Sequence, residues 1–252
     1  MYERLDDVRL KIQWAEKRIN EFKIELDAFR GTNPYAMFVE TDSESGEPFF
    51  HIVKAEPIPP EIRLLAGDVF QNLRSALDYL IVALVRANNQ IPDGNAFPIF
   101  DHTPVSSDDK RFFRRKVKGV RDDLIQFIWN TNPYPGGNNK LWRLHRLNNV
   151  DKHNLLVAAW GAVTAIGGLP PFGDQWNGNQ WLGIPGVPFP LKEGHKFTPN
   201  ISGVKVDKYT GLFLEVALNE VGVAEGYPLI LALKESLHAV RDVIGKFSVY
   251  LR

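Results

Sequence analysis

Apolar residues recur in steps of three and four along the first thirty residues. They are Leu5, Val8, Ile12, Ala15, Ile19, Phe22, Leu26 and Phe29. This spacing places them on one face of an α-helix. Gly31 and Asn33-Pro34 follow, and such residues are typical of helix ends. The pattern therefore predicts one long helix, which packs inside a bundle in one interpretation and pairs as a dimeric coiled coil in the other.

Residues 35–58 predict a β-hairpin, because two apolar segments flank a polar turn at residues 42–47. Pro60 then opens a second long helix that runs to about Ala87, since proline is tolerated in the first turn. Its core positions are Ile62, Leu65, Val69, Leu73, Ala76, Leu80 and Leu84. We expect this helix to pack antiparallel to the first.

Asn, Pro and Gly residues predict a loop over residues 88–107. A short basic helix is predicted from Ser107 to about Lys118, and another from Arg121 to Trp129. A longer helix is predicted from about Asn139 to Leu156.

The sequence changes character over residues 157–230, which are rich in Gly, Pro, Val and aromatic residues. We predict strands at 157–166, 203–207 and 212–218, a turn at 208–211, and an irregular loop at 167–196. A closing helix is predicted over residues 229–250. The fold class is therefore α+β, in a single domain 1–252: a mainly helical bundle of long antiparallel helices with a small antiparallel β-sheet.

Composition narrows the possible functions. Lys+Arg and Asp+Glu both number 30, so the formal net charge is zero, which argues against a strongly basic nucleic-acid coat protein. Without cysteine the chain has no disulfide, thiolate metal site or cysteine nucleophile. A charged amino terminus and short apolar stretches predict a cytoplasmic protein without a membrane segment.

Arg146 and His153 carry the strongest chemical signal. In a helix they project from one face, with Asn149 between them. A guanidinium binds phosphate bidentately, and an imidazole exchanges protons near neutral pH. The two groups suffice in principle for metal-free RNA cleavage by the neighbouring 2′-hydroxyl. The alternative is a structural histidine near a helix end and an arginine paired with a carboxylate.

The segment Arg146-Leu-Asn-Asn-Val-Asp-Lys-His153 resembles the R-x(4–6)-H motif of the HEPN superfamily. Many members of that superfamily are helical endoribonucleases of toxin and defence systems, in which two protomers join their motifs in one site. The resemblance implies a phosphate contact for Arg146, proton transfer for His153, RNA as substrate and a homodimer. Leu147 departs from the pattern, because active members commonly have a polar residue there.

A second resemblance covers more of the chain. Phe70-Gln-Asn-Leu-Arg-Ser-Ala-Leu-Asp-Tyr-Leu80, Phe97-Pro-Ile and Leu147-Asn-Asn-Val-Asp-Lys-His153 are similar to segments of uncharacterised bacterial and phage proteins. This resemblance implies no activity.

Polar residues also interrupt the second helix. If it packs against the helix of Arg146, one polar layer forms inside the bundle from Arg74, Asp78, Asn148, Asp151 and His153. Buried charges require such partners. The layer either fixes helix register alone or orients His153 through Asp78 or Asp151.

The basic segment of residues 110–118 is a candidate nucleic-acid contact. Its cations are Lys110, Arg111, Arg114, Arg115 and Lys118, with Phe112 and Phe113 among them. A solvated helix face with both phenylalanines in the core is the alternative. The scattered histidines match no metal-binding spacing, and the glycines match no phosphate-binding loop, so we expect no metal and no cofactor.

Two hypotheses follow, and the sequence does not decide whether the protein is an enzyme. The first is a HEPN-like, metal-independent endoribonuclease of toxin or defence type. The second is a non-catalytic helical binding protein whose Arg/Asp/His layer is structural.

Overall fold

The computed structural model describes residues 5–164, 187–198 and 212–251. The helices are α1 (Asp6–Gly31), α2 (Pro60–Ala87), α3 (Ser107–Lys116), α4 (Asp122–Trp129), α5 (Asn139–Asp151) and α6 (Leu229–Phe247), followed by one 3₁₀ turn, Ser248–Tyr250. The strands are β1 (Tyr35–Thr41), β2 (Pro48–Ala55), β3 (Ala158–Thr164), β4 (Lys196–Phe197) and β5 (Leu212–Leu218). The predicted mainly helical α+β class is confirmed.

The chain divides into two compact units, each assembled from separate segments. Unit 1 comprises Met1–Phe22, Leu64–Leu155 and Ala232–Arg252, and unit 2 comprises Lys23–Arg63 and Leu156–Leu231. The single domain expected from the sequence stays a prediction.

Unit 1 is built on α2, against which two helices run antiparallel. Lys11 Nζ of α1 donates to Asn72 Oδ1 at 3.1 Å, and Arg18 of α1 pairs with Asp68 at 3.4 Å, so the numbering rises in one helix as it falls in the other. On α5, His145 contacts Arg74, while Asp151 lies against Gly67. Predicted apolar positions of α1 and α2 contribute to this core, and those fully enclosed include Ala15, Phe22, Val69, Leu73, Ala76 and Leu80.

Unit 2 contains both small sheets. Strands β1, β2 and β4 form a three-stranded sheet in that order, and β3 pairs antiparallel with β5. Trp160 on β3 donates its indole N–H to the Glu56 carbonyl at 2.7 Å, and its ring stacks on Phe29 at 5.6 Å. Arg30 binds both carboxylate oxygens of Glu215, at 2.6 and 2.7 Å.

The predicted hairpin at residues 35–58 is confirmed, and its turn has a local cause. The Asp42 carboxylate accepts hydrogen bonds from the Glu44 and Ser45 N–H groups and from the Ser45 hydroxyl. Gly46 adopts a positive φ of 72°, which glycine tolerates without strain. These bonds close the turn between β1 and β2.

Three helices end earlier than the sequence predicts. Helix α5 ends at Asp151 rather than Leu156, the basic helix ends at Lys116, and the last helix ends at Phe247 before a 3₁₀ turn. The predicted strand 203–207, the turn 208–211 and most of the loop 167–196 lie outside the described residues. Within the described part of the chain, every helix is too short or too polar to cross a membrane.

Candidate functional site

Arg74 is the centre of a polar network inside unit 1. Arg74 is only 8% exposed. Its Nη1 donates to Asp78 Oδ1 at 2.6 Å, its Nη2 to the Phe97 carbonyl at 2.9 Å, and its Nε to His145 Nδ1 at 3.2 Å. Asp78 Oδ1 also accepts the Phe97 N–H at 2.8 Å. The network therefore connects α2, the Phe97 loop and α5.

His145 is held neutral by this environment. Burial, together with the positive charge of Arg74, lowers its pKa from 6.5 to about 4. Its Nδ1 has a lone pair for the Arg74 Nε–H only when the ring hydrogen is on Nε2. The network thus selects one tautomer of a neutral imidazole.

Asn149 contacts the other side of the His145 ring. The amide lies 3.1 Å from Nε2, one helical turn along α5. The atom at that distance is Asn149 Nδ2, so with the hydrogen on Nε2 the amide takes the flipped orientation, in which Oδ1 accepts from Nε2. Asn149 is therefore occupied by His145 and does not lie free between Arg146 and His153.

The network contains a different histidine from the polar layer that the sequence predicts. His145 takes the position that was predicted for His153, which is exposed. Asn148 is 1% exposed, and its amide has no hydrogen-bond partner among the described residues. Asp151 lies against α2 at Gly67, where an added Cβ would overlap its carboxyl group. Among the five expected members, all of them described residues, only Arg74 and Asp78 are joined by a side-chain hydrogen bond.

Asp151 lies where a negative charge is unfavourable. Desolvation raises its pKa, and the nearby charge of Asp68 raises it further. It is also the last residue of α5, where the helix dipole disfavours a negative charge. A raised pKa in the folded state means that stability is lost as the pH rises through the carboxyl range, so the carboxylate destabilises the fold at neutral pH.

Replacing Asp151 with Asn should therefore stabilise the protein at neutral pH by roughly 0.5 kcal/mol, the usual size of a helix-terminus charge effect. Urea unfolding at neutral pH and at about pH 3 measures it, because the difference should vanish when Asp151 is protonated in both states. Loss of stability in the variant at neutral pH would contradict the assignment. A loss of function without loss of stability would instead support a role for Asp151 in orienting His153.

Arg146 and His153 both face outward. The Arg146 side chain is 41% exposed, and its Nη1 lies 3.5 Å from each oxygen of Asp101, a loose surface pair. His153 follows the end of α5, yet the backbone keeps helical bonds for one more turn, from Lys152 N–H to the Asn148 carbonyl and from Asn154 N–H to the Val150 carbonyl. Both motif residues are thus accessible to a ligand.

The predicted cations of the basic segment are exposed as a group: Lys110, Arg111, Arg114, Arg115 and Lys118. The start of α3 is fixed by a capping box, in which Ser106 and Asp109 each accept from the other's backbone N–H. The hydroxyl and backbone N–H of Ser106 lower the pKa of Asp109 to about 2, with a smaller contribution from His102. The helix thus starts at a defined residue and presents its cations to solvent.

The two phenylalanines of the basic segment differ in exposure, since Phe113 is buried and Phe112 is half-buried. Phe113 is buried and packs edge-on to Trp129 at 4.9 Å. Phe112 packs against Phe100 at 5.4 Å. Phe113 therefore belongs to the core of unit 1, whereas Phe112 lies at its edge, with the Arg115 guanidinium 5.9 Å from the centre of its ring.

Sequence reasoning missed His145. The signal was its spacing of four residues to Asn149, which places a histidine and an amide on one helix face.

Comparison of the chain with protein-family models, with curated proteins and with solved structures found no match.

Proposed function

We propose that this chain is a metal-independent endoribonuclease that acts in the cytoplasm as a homodimer, with Arg146 and His153 at its reaction centre. One observation carries the proposal. The interior histidine that completes the Arg74 network is His145. The fold therefore does not need His153 for that role, and His153 and Arg146 remain at the surface.

The chemistry requires only these side-chain types and the substrate. His153 takes the proton from the 2′-hydroxyl of RNA as O2′ forms a bond to phosphorus. The bond from phosphorus to O5′ breaks, and O5′ takes a proton from water or from the His153 of a second protomer. Arg146 stabilises the negative charge on the phosphorus oxygens. The products are a 2′,3′-cyclic phosphate and a 5′-hydroxyl end.

The test is cleavage of labelled RNA in EDTA. We expect the His153→Ala variant to be slower by about a hundredfold, the lower range for loss of a general acid or base. The matched control is His238→Ala, because His238 is also exposed, with 72% of its side chain accessible on α6. Equal rates for wild type and His153→Ala, or no cleavage by the wild type, would refute the proposal.

The second candidate function is non-catalytic binding by a helical protein with a structural polar layer. The observation that favours it is the engagement of Asn149 with His145, which removes one of the three groups expected at the site. It predicts that wild type and both histidine variants leave RNA intact while the protein still binds a partner. The same cleavage assay therefore decides between the two functions.

A further inference from the structure

Two aromatic rings lie together at the surface of unit 1, outside the site of Arg146 and His153. Phe127 on α4 is 50% exposed, although large apolar side chains are normally buried. Its ring lies 6.2 Å from that of Tyr250, at an interplanar angle of 42°. Tyr250 is itself partly exposed, and its neighbour Val249 is 57% exposed. We call Phe127 and Tyr250 the aromatic pair.

A cation borders the aromatic pair. The Arg121 guanidinium lies 5.5 Å from the centre of the Tyr250 ring, within the distance of a cation–π contact. Asp123 fixes its orientation by two hydrogen bonds, at 2.5 and 2.8 Å. Lys246 is exposed one helical turn before Tyr250. The acidic groups nearest in sequence are Asp123, which Arg121 neutralises, and the exposed Asp122.

Arg121 also joins the aromatic pair to the basic segment. It precedes α4 directly, and only a short connection separates it from the last basic turn of α3. Exposed cations thus precede Arg121 in the sequence, and Arg121 contacts one of the two surface rings. A surface of this kind suits single-stranded nucleic acid, since cations follow the phosphates and rings stack on unpaired bases. In a duplex the faces of the bases are stacked on one another, so they are not available to stack on the rings.

We propose that the aromatic pair and Arg121 form a binding surface for single-stranded nucleic acid, on which unpaired bases stack. The inference deepens the proposed function by naming its substrate class as single-stranded nucleic acid. It rests on that function only for the choice of RNA as the natural ligand. Binding is separable from cleavage because a strand without a free 2′-hydroxyl cannot react by the proposed mechanism. An apolar protein partner would need the rings but not the neighbouring cations.

The experiment measures fluorescence anisotropy of the full chain with labelled oligonucleotides of about twelve nucleotides, a length within the usual site size. The probes are 2′-O-methyl oligouridylate, oligodeoxythymidylate and a 2′-O-methyl RNA duplex. The variant is Phe127→Leu with Tyr250→Leu, which keeps apolar side chains but removes both rings. The matched control is Phe38→Leu with Tyr79→Leu, because Phe38 is 59% exposed and Tyr79 lies under Lys11 at 5.9 Å.

We expect the ring-removing variant to bind both single strands about tenfold or more weakly, as loss of base stacking implies. The control variant and Tyr250→Phe should bind as the wild type does. Thermal unfolding of each variant shows whether the fold is retained. Tighter binding of oligouridylate than of oligodeoxythymidylate would identify the ligand as RNA, and the reverse would identify it as DNA. Either preference is consistent with the proposed surface.

Three outcomes would overturn the inference. They are equal binding by the ring-removing variant and the wild type, an equal loss in the control variant, and a wild type that binds no strand or prefers the duplex. None of them depends on RNA cleavage. The inference and the proposed function therefore fail or stand separately.

Discussion

Replacing Asp78 with Ala is expected to lower the free energy of unfolding by about 3 kcal/mol, the lower range for removing one partner of a buried ion pair. Arg74 stays buried in the variant and loses its partner at 2.6 Å, and the Phe97 N–H loses its acceptor. We take the lower range because the Asp78 side chain is 34% exposed, so water compensates in part. Urea unfolding at neutral pH measures the change.

A double variant distinguishes the effect of losing the charges of the ion pair from the effect of losing its side-chain volume. Arg74→Met with Asp78→Leu removes both charges and keeps apolar volume, so we expect it to be closer to the wild type than Asp78→Ala is. A double variant less stable than Asp78→Ala would contradict the assignment of the loss to an unpaired Arg74. A loss below about 1 kcal/mol in Asp78→Ala would place the pair among ordinary surface ion pairs.

Acid is expected to destabilise the protein through His145, by up to about 3 kcal/mol. The pKa of His145 is about 4 in the folded protein and 6.5 in the unfolded chain. Each pKa unit is worth about 1.4 kcal/mol. Between those two values the unfolded chain binds more protons than the folded protein, so stability rises with pH. The contribution is fully present above pH 6.5 and is lost as the pH falls towards 4.

The control is His145→Gln, which offers Arg74 an acceptor and does not titrate. Urea unfolding at about pH 7.5, 5.5 and 4.5 should show a steeper loss of stability in the wild type than in the variant. The difference between the two proteins cancels the contributions of the other histidines. Parallel curves would show that His145 titrates alike in the folded and unfolded states.

The long elements were predictable because their signals are local. The spacing of apolar residues identified α1, Pro60 marked the start of α2, and the polar turn at residues 42–47 identified the hairpin. The end of α5 was not predictable, since neither glycine nor proline follows Asp151 and the backbone keeps helical bonds to Asn154.

The site was predictable in part. The charges at Arg74 and Asp78 identified a polar interruption of α2, because they are one helical turn apart. Which histidine meets Arg74 depends on how α5 is placed along α2, and the sequence does not specify this. The contact of Phe127 with Tyr250 was equally hidden, since their ring contact joins a short helix to the far end of the chain.

The division of the chain into interleaved segments restricts how its gene can be shortened. A fragment that stops after α5 would appear to contain the whole helical part, yet unit 1 also takes Ala232–Arg252 from the other end of the sequence. Such a fragment would leave α1 without Arg241, the α6 residue whose guanidinium binds Glu16. Deletion mapping would then mistake misfolding for loss of a binding or cleavage determinant, and point substitutions in the full-length protein avoid that error.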